Sequence, residues 1–268
     1  MTFLVLVCIP CKLVAQEDKV LDESELSAKE KSATLAFGAD IMSRYIWRGI
    51  DFGNSPAVQP NLSFSWKGLT FGAWGSYAFS KHSVRINDST VVDAGNYSEM
   101  DLYVSYTYKW FTFMFFDYFT INGLNANEGN RYFDYRNKTT RHTFELCLTF
   151  DGPDRFPLQI MASTLVYGDD KNKDSHGVYG LGNDNNYSTY FELGYKLHFK
   201  RIGVELKPFI GGIPFGSSWY APHAGITNLG ITAKKEIPVS LQYNLPVQVS
   251  LVTNPQAQSV FLVFGISI

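Results

Sequence analysis

The sequence predicts an all-β fold: an antiparallel transmembrane β-barrel of about twelve strands, with short periplasmic turns and longer extracellular loops. Three observations predict it. From residue 33 to Ile268 apolar side chains recur at every second position, the period of a strand with one greasy and one polar face. The links between these segments alternate between short and long. Aromatics make up 16% of the chain and charged residues only 18%, which suits a surface at a boundary between apolar and wet surroundings.

The chain of 268 residues opens on MTFLVLVCIPCKLVAQ. This apolar run is too short to cross a bilayer as a helix, and it fits a signal peptide over 1–16, cut after Ala15 or Gln16. No Lys or Arg precedes the run, a departure from the usual signal. Residues 17–32, EDKVLDESELSAKEKS, form a polar periplasmic tail, and 33–268 form the barrel. Cys8 and Cys11 fall in the expected signal, where a CxxC spacing carries no chemistry once removed. Cys147 is then the one cysteine left, so no intramolecular disulfide is available.

Within 33–49, Leu35, Phe37, Ala39, Ile41, Tyr45 and Trp47 share one parity, and Gly38, Asp40, Arg44 and Arg48 the other. The first set is expected to face lipid and the second the lumen. Over 57–67, Val58, Pro60, Leu62, Phe64 and Trp66 oppose Gln59, Asn61, Ser63, Ser65 and Lys67. Phe71, Ala73, Tyr77 and Phe79 continue the greasy face after the Lys67-Gly68 turn. Met100, Leu102, Val104, Tyr106 and Tyr108 then oppose Glu99, Asp101, Tyr103, Ser105 and Thr107. The segment 111–120 is aromatic on both parities, and its faces stay unassigned. Phe144, Leu146, Leu148 and Phe150 oppose Thr143, Glu145, Cys147 and Thr149. Phe191, Leu193, Tyr195, Leu197 and Phe199 oppose Tyr190, Glu192, Lys196 and His198. Ile202, Val204, Leu206 and Ile210 oppose Glu205 and Lys207, and Val260, Leu262, Phe264, Ile266 and Ile268 close the series. Segments 158–167, 227–234 and 239–251 alternate more weakly.

Long polar links are expected at 50–55, 80–97, 121–140, 168–186, 211–223 and 253–258, and short ones between them. A soluble sandwich also alternates, but nothing obliges its loops to alternate so regularly. Hydrocarbon cannot satisfy free backbone N–H and C=O groups, so only helices and closed barrels span a membrane. No segment after the signal is apolar enough for a helical span, which leaves the barrel.

Trp47-Arg48-Gly49, Ser55-Pro56, Gly72-Ala73-Trp74-Gly75-Ser76 and the acidic strand start Glu99-x-Asp101 together carry a resemblance. The run containing them resembles the TorF-like porin family of Gram-negative bacteria over about the first third of the chain. The resemblance implies an outer-membrane barrel and a diffusion channel. One departure is the final residue: such barrels often end in an aromatic, whereas this chain ends in Ile268.

The polar parity collects the candidate pore-lining residues: Asp40, Arg44, Arg48, Lys67, Glu99, Asp101, Arg141, Glu145, Glu192, Lys196, Glu205 and Lys207. They read either as a polar channel of mixed charge or as ion pairs filling a narrow lumen. The histidines, at 82, 142, 176, 198 and 223, lack zinc-ligand spacing, and no metal or cofactor is expected. His142 reads as an interfacial side chain; the His-x-Ser of outer-membrane phospholipases is absent, since Phe144 stands where the Ser would be. Asp170, Asn172 and Asp174 start like a calcium loop, but Ser175 replaces its glycine and Leu181 its bidentate acid. Cys147, without a placeable base, reads as lumen packing. A net charge of −2 gives no basic footprint for nucleic acid.

The expectation is a non-enzymatic outer-membrane channel for passive diffusion of small hydrophilic solutes or ions. Its partners are outer-membrane lipids, those solutes and, during biogenesis, the barrel-assembly machinery. The alternative is a closed barrel acting through its extracellular loops, with a lipid-modifying enzyme a distant third.

Overall fold

The computed structural model describes residues 33–87, 90–121 and 131–268, with side chains from 82 to 94 left aside. The expected signal peptide (1–16), the polar tail (17–32) and the side chain of His82 lie outside the described residues. In chain order the strands are β1 (Thr34–Met42), β2 (Tyr45–Trp47), β3 (Ile50–Phe52), β4 (Ala57–Trp66), β5 (Leu69–Asn87), β6 (Thr90–Tyr108) and β7 (Phe111–Ile121). They continue as β8 (His142–Asp151), β9 (Leu158–Gly168), β10 (Thr189–Tyr195), β11 (Leu197–Phe199), β12 (Val204–Ile213), β13 (Gly225–Ser240), β14 (Tyr243–Asn254) and β15 (Ser259–Ser267).

Each wall strand pairs antiparallel with its sequence neighbour, and β1 pairs with both β4 and β15. That last pairing closes the sheet on itself: Asp40 faces Ser267, Met42 faces Gly265, and Ala39 and Ile268 exchange backbone bonds of 2.9 Å. β10 and β11 both lie on β12, in one register either side of Lys196, and are one interrupted strand. β2 and β3 pair only with each other, outside the wall. The wall is therefore a closed barrel of twelve antiparallel strands, as the alternation predicts.

The wall is apolar outside, and its inward face mixes buried polar residues with a minority of apolar ones. On β4, Leu62, Phe64 and Trp66 are exposed while Gln59, Asn61 and Ser63 are buried. Phe71, Tyr106, Phe113, Leu148, Leu193, Leu251 and Leu262 extend this outer belt around the wall. At the short turns Lys67 and Lys109 fold back over the rings of Trp66 and Tyr108, at 4.7 and 5.4 Å, keeping their ammonium groups at the wet edge. Lys67, expected in the lumen, is thereby exposed in its turn; its positive φ takes it off the strand and off the wall's parity.

The structure also assigns the faces of β7. Thr112, Met114, Phe116 and Tyr118 point inward, while Phe111, Phe113, Phe115, Asp117 and Phe119 point outward. The expected loop over 80–97 is instead a hairpin, because β5 and β6 stay paired as far as Asn87 and Thr90. Their other neighbours stop at Ala78 and Ser98, so this hairpin continues alone for about 30 Å at the usual strand rise.

Inside the wall, a Cβ at Gly72 would lie 2.2 Å from Cζ of its cross-strand partner Tyr103, whose hydroxyl donates to Asn61 at 3.0 Å. Gly72→Val is expected to lower the unfolding stability of the refolded barrel by about 1–3 kcal/mol, the usual cost of overpacking. Urea titration of gel-shift mobility, unboiled against boiled, measures it; an unchanged midpoint contradicts this packing.

Candidate functional site

After β1 the chain leaves the wall. Arg48 and Gly49, with φ of 51° and 83°, form the two-residue turn of the β2–β3 hairpin, in which Trp47 faces Ile50. Two positive φ values are the signature of a tight primed turn, and the second position tolerates no side chain here. A Cβ on Gly49 would lie 1.9 Å from the carbonyl oxygen of Thr227 on β13. The turn is further tied to the wall by Asn254, whose Nδ2 donates to the Gly49 carbonyl at 3.2 Å.

The hairpin thus points into the barrel. Tyr45, Ile46 and Trp47 are each 3% exposed. This corrects the expectation that Tyr45 and Trp47 face lipid, which rested on their sharing β1's outward parity. The break in the wall at Ser43 and Arg44 ends that parity, and aromatic neighbours inside the lumen take both rings. Tyr45 packs on Phe52, Trp74 and Tyr97, and Trp47 stacks on Tyr220 with centroids 5.4 Å apart.

At the tip, Arg48 is 2% exposed. Its Nη1 and Nη2 donate to the two Glu145 oxygens at 2.6 and 2.9 Å, and Nη1 also donates to the Tyr220 hydroxyl. Its guanidinium lies 4.4 Å from the Trp47 ring and 4.7 Å from the Tyr190 ring. Tyr118 donates to Glu145 Oε2 at 2.7 Å, completing the carboxylate's shell. Beside it, the Tyr190 hydroxyl and Asn228 Nδ2 donate to Glu192 Oε2 at 2.6 and 2.9 Å. A forked pair of charge-assisted bonds with an aromatic cage is the geometry in which a buried ion pair holds.

A second segment, 214–224, folds inward to meet the hairpin, burying Tyr220 and Ala221. Trp219 Nε1 donates to the Asp169 carbonyl at 2.8 Å, and the hydroxyls of Ser217 and Ser188 lie 2.5 Å apart. Ser188 in turn donates through N and Oγ to Asp170, at 2.8 and 2.5 Å. Burial pushes the Asp170 carboxyl above its ordinary range, against the pull of those two donors. Below them Trp74, Tyr97, Phe116, Leu165 and Tyr190 fill the space from the wall. On the other side Ile46 joins Phe209, Val252 and Val263. The loop-side half of the lumen is therefore a packed core.

The turn-side half is polar and half-buried. Asp40 accepts from Ser267 Oγ at 2.5 Å, and Lys196 pairs with Asp151 at 3.1 Å. Lys207 lies 3.7 Å from Glu192, and His198 Nε2 lies 2.8 Å from Glu205. Glu205 also faces Lys234 across β12 and β13, a lumenal cation that the sequence reading did not name.

The twelve expected lining residues therefore separate into distinct places. Glu99 and Asp101 are buried on the inner face of β6, with the Tyr97 hydroxyl donating to Glu99 Oε2 at 2.8 Å. Arg48 and Glu145 close the upper half, while Asp40, Glu192, Lys196, Glu205 and Lys207 line the lower. Arg141 pairs with Asp169 at the loop-side rim, at 3.0 Å. Arg44 is not on the wall: it follows β1's break and binds Asp51 and Asn54 within its own loop. Tyr118, Tyr220 and Asn228 are site residues the alternation did not single out, whereas Tyr190 has the inward parity expected of it.

Cys147 is buried beside Met114, Phe116, Tyr118 and Leu165. In the calcium-like loop, Asp174 Oδ1 accepts from the amides of His176 and Val178, and Asp170 is held by Ser188. Among the described residues no group of three or more His, Cys, Asp or Glu is placed to hold a metal. His142 has the outward parity expected, but it is fully buried rather than open to the interface, because residues 131–140 cover it.

No family model and no curated protein matches the chain. Among solved structures, one chain from a study of in-meso crystallisation of membrane proteins aligns with a TM-score of 0.41 and 6% identity, covering 87% of this chain and 82% of that one. A triple mutant of the Rhodopseudomonas blastica porin aligns with a TM-score of 0.32 and 10% identity, over 88% and 99%. A second mutant of that porin aligns at 0.30 and 10%, over the same shares. The chain's own strand pairing makes the wall a closed antiparallel β-barrel.

Arg48→Ala leaves Glu145 buried without its cation and is expected to cost about 3–5 kcal/mol of unfolding stability. Replacing both partners together, Arg48→Met with Glu145→Leu, is expected to recover most of it. Urea unfolding followed by tryptophan emission in lipid vesicles reads both; a double variant no more stable than Arg48→Ala contradicts the pairing.

Proposed function

We propose that this protein is an outer-membrane porin-like channel of a Gram-negative bacterium whose lumen is closed at rest by its own β2–β3 hairpin. Small hydrophilic solutes or ions cross when that hairpin moves, by diffusion and without catalysis. A single observation carries the reading: a polar vestibule on the turn side ends against the packed hairpin at the Arg48–Glu145 clamp.

The width of the wall supports it. About eight strands leave an interior that side chains can fill, and about sixteen leave an open pore. Twelve strands need something more to close them, and here the hairpin and the 214–224 segment supply it. The vestibule charges, Asp40, Asp151, Glu192 and Glu205 against Lys196, Lys207 and Lys234, would sort solutes weakly by sign. The apolar outer belt supports an outer-membrane location, with membrane lipids and the assembly machinery as partners. Membership of the TorF-like porins is part of the proposal, and its Trp47-Arg48-Gly49 step coincides with the tip of the hairpin. A closed barrel acting through its loops is the second reading, favoured by the long β5–β6 projection.

Planar-bilayer conductance separates the two. The wild-type barrel is expected to pass little current, and replacing 45–52 by a flexible Gly-Ser linker to raise it severalfold. In that open variant Lys207→Glu is expected to shift the reversal potential toward cations. A folded, hairpin-less barrel that conducts no more than wild type contradicts the channel and supports the closed barrel.

A further inference from the structure

On the loop-side end of the outer wall, β7 and β8 carry an acid and an imidazole where lipid-facing side chains belong. Asp117 and His142 share the outward parity of Phe115, Phe119 and Phe144. His142 Nδ1 lies 2.6 Å from Asp117 Oδ1, and its Nε2 lies 2.5 Å from the carbonyl oxygen of Tyr132. Polar groups left bare against hydrocarbon are costly, and here residues 131–140 fold back along the outside of the wall to cover them. Tyr135 stacks on His142 with centroids 4.2 Å apart, Tyr132 meets Phe119 edge-on at 5.0 Å, and Tyr167 donates to the Tyr135 carbonyl at 2.6 Å. Lys171 Nζ adds a bond to Asn137 at 2.7 Å.

The other side of this segment faces away from the protein, at the height of the loop-side end of the apolar belt. It exposes Arg131, Arg136 and Lys138, with Phe133 88% exposed among them. Its one acid, Asp134, has a side chain only 8% exposed and is taken up internally, accepting from Arg136 Nε and Nη2 at 2.8 and 2.7 Å and from Thr139 at 2.8 Å. The Arg136 fork, then the Thr139 hydroxyl, hold that carboxyl well below its ordinary range, so it stays an internal counter-charge. Exposed cations beside an exposed aromatic, pinned to the outside of a membrane wall, match an anionic headgroup joined to acyl chains.

We propose that residues 131–138 form a docking surface for a phosphate-bearing lipid of the outer leaflet. Arg131 and Lys138, helped by Arg136, take the phosphate, while Phe133 enters the acyl boundary. The Asp117–His142 pair is the anchor that sets the segment at this height. The proposal rests on the membrane-barrel reading but not on the hairpin's gating.

The full-length protein, refolded and purified in detergent, is incubated with bisphosphorylated lipid A, with its dephosphorylated form, or with phosphatidylcholine, and retained lipid is counted by native mass spectrometry. Retention is expected to be highest for the bisphosphorylated lipid and to fall about tenfold in Arg131→Gln with Lys138→Gln. Phe133→Ser is expected to reduce it further, while heat-modifiable mobility and insertion into phosphatidylcholine vesicles stay as in wild type. Equal retention of the three lipids, unchanged retention in the double variant, or displacement by millimolar inorganic phosphate overturns the docking surface. A protein that inserts into vesicles yet shows no preference fails this inference alone; one that does not insert fails the membrane reading itself.

Discussion

In hydrocarbon a backbone amide has no water to turn to, so a strand's hydrogen bonds must all be made by other strands. The last strand has to meet the first, and the pairing of β1 with both β4 and β15 is where this chain meets that demand. Much else follows from it. Closure fixes one face of every strand toward lipid and the other toward the lumen, so apolar and polar residues must alternate. It also encloses a space too wide for ordinary wall side chains to fill, and that space is the functional problem of the molecule.

The lumen is handled differently at its two ends. On the loop side the chain folds back on itself, and an aromatic hairpin carrying a caged arginine meets a carboxylate and three tyrosines. On the turn side the wall's own acids and lysines pair one to one, Lys196 with Asp151 part-exposed and Lys207 near Glu192 buried. Breaking a buried, forked ion pair is costly, whereas the Lys196–Asp151 pair is partly wet and weak. In the proposed channel, that asymmetry would set the barrier to passage at the hairpin and leave the turn-side charges to bias what reaches it.

Much of the wall was legible because its physics is periodic. Leu62, Phe64 and Trp66 against Asn61, Ser63 and Ser65 can be read without any structure, since a strand allows no other division of faces. The hairpin was not legible for the same reason. Tyr45 and Trp47 keep the parity of Leu35 and Phe37, and alternation cannot register that the chain has left the wall between them. The available hints were the Arg48-Gly49 turn and the apolar residues on inward parity, Trp74, Phe116, Phe209, Val252 and Val263, which need an apolar partner inside. β7 was ambiguous because its inward face packs against that same core, so both its faces are greasy. Asp117 and His142 escaped notice as a pair because 24 residues of sequence separate two side chains that adjacent strands bring together.

Cys147 sits on the inner wall one inward position below Glu145 and is 4% exposed, which makes it a native reporter of whether the lumen is closed. The most direct measurement is its rate of reaction with a small, membrane-impermeant methanethiosulfonate, using residues 17–268 refolded in vesicles. The account predicts a reaction far slower than in the unfolded chain, and a large acceleration once the hairpin at 45–52 is replaced. Reaction of the folded wild-type protein at the rate of a free thiol would contradict it, since the packing around Cys147 beneath the clamp would then already admit the reagent.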